Sequence, residues 1–270
     1  MKKIKIKRYQ KTDIAIHKAV QILAFIGKKL GKEQHDDSHT TFVYDAKRRA
    51  LMGRKFKLKG MKYTPILDFT TFTLQLKNKK KMLIFFLEGK TIVGVIKEVK
   101  KQLKTKKLAD FELHYDLPET YHLAKYKIER PSGKALKEWG RVRELATQVF
   151  EKANTIIVPP SPINIWPHHF DTGGYHVLAK KKKEDVASVG TGFAMSDMVV
   201  DTPYFYIYGW KKDGDIDFTK APKLSVGEWK TSDWKGAVVS FKVVNKMANP
   251  QLELTAFFKQ TFCFFQKQLG

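Results

Sequence analysis

From Ile163 to Val244, strand-like runs follow one another through short connections, with no helix-length amphipathic segment between them. Parallel neighbours need a crossover of a dozen or more residues, usually a helix, so this half of the chain is restricted to antiparallel pairing. The runs are Ile163–Asp171, Tyr175–Leu178, Ser188–Met195, Tyr204–Trp210 and Ala237–Val244. The first half has the same texture, with short strands expected at Thr41–Asp45, Lys55–Lys59 and Thr64–Leu67. Phe72, Leu74 and Leu76 then alternate with Thr71, Thr73 and Gln75, the period-two pattern of a half-buried strand. A turn at Asn78–Lys81 leads into Met82–Leu87 and closes a hairpin. Phe111, Leu113 and Tyr115 form one face of a further strand, opposite Glu112, His114 and Asp116.

Helical spacing appears in four places. Thr12 is positioned to cap a helix through Ile14, Ile16, Val20, Leu23 and Ile26 that stops near Gly31. Thr91 to Lys106 carries Ile92, Val95, Ile96, Val99 and Leu103 on one stripe. Leu136, Trp139, Val142, Ala146, Val149, Phe150 and Ala153 form the clearest helix, closed by Pro159, Pro160 and Pro162. Asn249-Pro250 starts a last helix with Leu252, Phe257, Phe258, Phe262 and Phe265. The expectation is an α+β fold: mainly antiparallel sheets in two packed lobes with amphipathic helices, including helices near both ends. Residues 1–270 are read as one compact unit with sub-lobes 1–130 and 131–270.

Composition narrows the function classes. Lys and Arg total 51 against 27 Asp and Glu, a formal net charge of +24. The excess is mostly Lys, in runs at Lys79–Lys81, Lys104–Lys107 and Lys180–Lys183 that read as a turn, a helix end and a strand connection. Planar phosphate and base-edge recognition favours Arg, so nucleic acid is expected only as a non-specific polyanion partner. No apolar run nears the roughly 20 residues that span a bilayer, and no membrane partner is expected. The single cysteine, Cys263, rules out an internal disulfide and a cysteine-cluster zinc site, and is expected as buried filler among phenylalanines. These features fit a cytoplasmic protein, with no cofactor and no metal expected.

The densest polar-aromatic cluster is Trp166-Pro167-His168-His169-Phe170-Asp171. In an extended strand His169 and Asp171 share a face, and a carboxylate beside an imidazole fixes its tautomer and raises its basicity. Tyr204 and Tyr206 extend the supply of polar aromatics. Gly190-Thr191-Gly192-Phe193 lacks the Gly-Lys-Ser/Thr ending of a P-loop and reads as strand or bulge. Asp68, Asp171 and Glu228 are the carboxylates from which a glycosidase-like pair would have to come.

At Trp166–Asp171 the chain resembles a bacterial family classed only as domain of unknown function 5996. The resemblance extends to His17, Gln21 and Gly27-Lys28 in the opening helix, His39, Ile66-Leu67-Asp68-Phe69, Gly192-Phe193, Pro203-Tyr204-Phe205-Tyr206 and Gly227-Glu228-Trp229. Thr40 and Thr41 depart from the aromatics expected after His39. The family implies a fold and a cluster of positions but no activity. The resulting expectation is a binder of a small polar or anionic metabolite. His169 would handle a proton, oriented by Asp171 in metal-free acid–base or hydrolytic chemistry, with His168, Tyr204, Tyr206, His39, Asp68 and Lys28 lining the site. Two alternatives stand beside it: a basic protein that holds nucleic acid or another polyanion, and a divalent-metal-dependent hydrolase.

Overall fold

The computed structural model describes residues 3–109, 117 and 121–269. The strand expected over residues 111–116 lies outside them. All strand pairings are antiparallel among the described residues, in keeping with the α+β expectation. Two compact units divide the chain: residues 11–141 with 165–170 (the N-proximal unit), and residues 1–10, 142–164 and 171–270 (the C-proximal unit). The units interleave along the chain, so the division differs from the single cut expected near residue 130.

The N-proximal unit holds most of α1 (Ile6–Leu30), then β1 (Phe42–Asp45), β2 (Ala50–Gly53), β3 (Phe56–Leu58), β4 (Met61–Asp68), β5 (Thr73–Lys77), β6 (Met82–Phe86), α2 (Ile92–Leu103) and the start of α3 (Gly133–Ala153). Its strands pair in the order β1-β2-β4-β5-β6, with β3 on β4. On the other side of β1, Ile165 of the two-residue β7 (Asn164–Ile165) pairs with Phe42. Thr91 caps α2 by accepting the Gly94 amide at 3.1 Å. The helix ends at Leu103, short of Lys106, because Lys104 turns left-handed (φ 48°).

Helix α1 starts at Ile6 and carries Thr12 buried inside it, so Thr12 is not its cap. The extra turns belong to the C-proximal unit. There Ile4 exchanges two 2.9 Å hydrogen bonds with the Asn245 side chain, and Tyr9 stacks on Phe241. That unit's sheet has the order β8 (Thr172–Lys181), β9 (Glu184–Ala194), β10 (Tyr204–Lys211), β12 (Lys235–Ser240), β11 (Glu228–Thr231). One face of it is apolar core: Phe193, Phe205 and Ile207 are buried there with Phe150 of α3 and Phe258 of α5 (Pro250–Leu269). Residues 241–244 are not strand but a short helix, α4 (Phe241–Val244). The Phe241 amide bonds the Pro203 carbonyl at 2.7 Å and leaves the ladder there.

Asn249 caps α5 as expected: its side chain accepts the Leu252 amide while Glu253 accepts the Asn249 amide. Cys263 is exposed, not filler. The helical period turns Phe258, Phe262 and Phe265 inward and leaves position 263 outside. Helix α3 stops at Ala153, before the prolines, because the Asn154 side chain bonds Ser161 through both its amide groups and folds the chain back. No helix among the described residues is long and apolar enough to cross a membrane.

Candidate functional site

The expected site residues divide between the units: Lys28, His39, Asp68, His168 and His169 in the N-proximal unit, and Asp171, Tyr204 and Tyr206 in the C-proximal unit. The extended strand on which a His169–Asp171 pairing rested is absent. Strand β7 stops at Ile165, residues 166–170 form a turn, and Phe170 has φ 54°. Side chains there do not alternate: the His168 and His169 rings meet edge to face at 4.7 Å, and His169 is exposed.

Lys28 and His39 come together around Asp37. The Lys28 ammonium lies 2.9 Å from the Asp37 carboxylate, and His39 Nε2 lies 3.9 Å from the same oxygen. His39 Nδ1 accepts the Gln34 amide at 3.2 Å. A Cβ at Gly27 would strike the His39 carbonyl, and one at Gly31 would touch its ring. Gly27 lets the segment 37–41 lie against the end of α1. Lys28 is thus engaged inside the chain rather than offered as an anion contact. Asp68 likewise builds structure: one of its oxygens accepts the amide and hydroxyl of Thr71, at 2.7 and 2.8 Å, and closes the β4–β5 turn.

A second polar cluster occupies the core of the N-proximal unit. Asp13, His17 and Gln21, one turn apart on α1, are all buried. His17 Nε2 lies 2.8 Å from the Pro167 carbonyl, which only accepts, so this nitrogen carries the proton. Nδ1 then accepts from the Tyr121 hydroxyl at 2.8 Å, and Gln21 donates to the same Pro167 carbonyl at 2.8 Å. Burial above all, then the charge of Asp13, raises the Tyr121 pKa and keeps its phenol a donor. Phe170 stacks on His17 at 4.9 Å, and the Trp139 indole donates to Asp13 at 2.6 Å. Their i, i+4, i+8 spacing was the available signal for these residues. The interruption of an apolar helix by His17 and Gln21 marks a polar core.

The other face of the C-proximal sheet is aromatic and polar. Tyr204, Tyr206 and Tyr208 pair with Ala194, Gly192 and Gly190. A Cβ at Gly190 or Gly192 would run into the Tyr208 or Tyr206 ring, so the missing side chains let both rings lie down on β9. Their centroids are 6.1 Å apart at 21°, and the Trp234 ring stands across them at 86° and 73°. The Gly-Thr-Gly-Phe run is therefore regular strand serving as a floor. The Tyr206 hydroxyl donates a short hydrogen bond to Asp171 Oδ2, and the Tyr204 hydroxyl donates to Asp197 at 2.7 Å. Burial, then the neighbouring carboxylates, raises the pKa of Tyr204 and Tyr206, so both phenols stay protonated donors. Sequence reasoning missed Trp234 and Asp197, which stand in loops between strands.

Asp171 is 8% exposed, and its Oδ1 has no hydrogen-bond partner among the described residues. Asp197 differs: its Oδ1 accepts the Val199 and Val200 amides and its Oδ2 the Tyr204 hydroxyl. Glu228 sits on β11, four strand spacings from β8, or about 19 Å. That is too far for it to work with Asp171 as a glycosidase pair. Among the described residues no group of three or more His, Cys, Asp or Glu is placed to hold a metal ion. No family model matches the chain, and neither a curated protein nor a solved structure is significantly similar to it.

Proposed function

We propose that the protein binds a small polar metabolite on the tyrosine face of the C-proximal sheet. The observation that carries this reading is Asp171 Oδ1, a buried carboxylate oxygen beside an aromatic platform, with no hydrogen-bond partner among the described residues. Buried polar groups are nearly always satisfied, and leaving one bare costs about 1–3 kcal/mol. A ligand donor would fill the position. Apolar walls with a few convergent polar groups are the ordinary composition of a small-molecule site, and Tyr206, Tyr208 and Trp234 supply the walls. The acid–base chemistry expected of His169 has no support in an alternating strand, so the reading is confined to binding.

The test is ligand-observed NMR of a metabolite mixture against the full chain, beside Asp171→Asn. A ligand that saturates the wild type and is lost or weakened at least tenfold in the variant supports the reading. Ligands that bind both proteins alike, or none at all, would sink it.

A further inference from the structure

We infer that the ligand of the tyrosine face presents an N–H cation, an ammonium or guanidinium group, to Asp171; this deepens the binding reading above and rests on it. Strand register decides which charged side chains share the face. Residues directly paired across antiparallel strands point to the same side. The pairs Glu228↔Val238, Lys230↔Gly236 and Tyr206↔Val238 therefore place Glu228 and Lys230 with the tyrosines. These two neutralise each other at 2.8 Å. Beyond the end of β10, Lys212 is held by Glu184 at 2.5 Å. Glutamates thus engage Lys230 and Lys212.

Asp171 has no ion pair among the described residues and fewer donors than Asp197. Gly173, two residues on, pairs with Gly192 and so lies on the tyrosine face, and the Tyr206 hydroxyl reaches Asp171 across it. One phenol hydrogen bond is the sole one that Asp171 makes among the described residues. A buried carboxylate is stable when paired and fully hydrogen-bonded, and a cationic donor does both at once. Asp197, on the same face, shows what saturation looks like: three donors hold it and no cation is required.

The rings argue for the same ligand class. Tyr206 and Tyr208 form the floor and Trp234 the wall, and cations settle on the faces of such rings. Their phenols remain neutral because burial raises their pKa, so the floor offers π-density and hydroxyl donors without a competing charge. An anionic ligand would meet the Asp171 carboxylate, and the lysine assigned to an anion from sequence, Lys28, is held by Asp37. A neutral sugar would use the rings and accept the phenol donors, but it would leave the carboxylate without a counter-charge.

The experiment uses ¹⁵N-labelled full chain at low salt. It follows the Gly190 and Gly192 amides and the Trp234 indole during titration with n-butylguanidinium, tetramethylammonium, methyl glucoside and inorganic phosphate. n-Butylguanidinium should shift all three signals saturably. Tetramethylammonium, which has the charge but no N–H, should bind at least tenfold more weakly. Asp171→Asn keeps an acceptor for Tyr206 and should weaken n-butylguanidinium at least tenfold. Trp234→Ala, which removes the wall and leaves Asp171 in place, should also weaken it and serves if the first variant does not fold. Methyl glucoside or phosphate binding at these signals, with n-butylguanidinium inert or unaffected by Asp171→Asn, would overturn the cation assignment and leave the site standing. Silence of all four probes at these signals would overturn the cation assignment and remove its support from the binding reading; the metabolite mixture then decides that reading separately.

Discussion

The buried polar cluster around His17 and the tyrosine face around Asp171 use similar groups to opposite ends. In the first, both ring nitrogens of His17 have partners within the chain, Gln21 shares the Pro167 carbonyl, and Trp139 donates to Asp13. In the second, Tyr206 satisfies one oxygen of Asp171 and the other is bare among the described residues. A network whose members bond one another across the core specifies that core, since each member fixes the geometry of the next.

The comparison breaks if the closed network proves dispensable. Trp139→Ala empties a fully buried indole site and removes the indole donor to Asp13, so a loss of about 3–5 kcal/mol is expected in urea unfolding. A loss below about 1 kcal/mol would mean that the cluster does not hold the core. Gly192→Ala should come next, at about 1–3 kcal/mol, because its methyl must lift the Tyr206 ring. A matching chemical-shift change at Tyr206 would tie the cost to the ring.

A smaller, pH-dependent effect comes from His176. Burial lowers its pKa below the ordinary histidine value of about 6.5, partly offset by the hydrogen bond to the Pro159 carbonyl. The unfolded chain then takes up the proton more readily. The contribution of His176 is intact above about pH 6.5 and is lost as the pH falls below it, with a slope of at most about 1.4 kcal/mol per pH unit. His176→Gln should flatten that acid limb of the urea midpoint; an unchanged limb would assign it to other groups. Asp171→Asn should have the least effect on stability, under about 1 kcal/mol, since it removes an unbalanced buried charge and keeps an acceptor for Tyr206. A large loss would show Asp171 to be part of the scaffold and sharpen the contrast against the binding reading.

The architecture was largely legible because it is written in periodicity. All seven apolar positions expected to face inward on α3 are buried, and the hairpin of β5 and β6 turns at Asn78 as expected. What misled was local resemblance to strand. Trp166 to Phe170 alternates like one, but Phe170 adopts a left-handed backbone to stack between His17 and Trp139, contacts over 100 and about 30 residues away that no window of sequence contains. Val243 and Val244 have strand propensity, yet the hydrogen bond from Phe241 to Pro203 diverts the chain into α4. At the site, Asp171, Tyr204 and Tyr206 could be named from residue type. Trp234 and Asp197 could not, because their roles exist only through strand pairing.

The clasp between Ile4 and Asn245 bears on how the molecule is made. Its partners are separated by 241 residues, and the C-proximal unit needs residues 1–10, 142–164 and 171–270 together. A ribosome at about 5–20 residues per second takes roughly 12 to 50 s to cover that distance. Residues 1–10 therefore wait for their partners in residues 171–270 while the N-proximal unit is completed at Phe170. A permuted order in which residue 1 follows residue 270 through a linker would cut that separation to residues 246–270, the linker and residues 1–3.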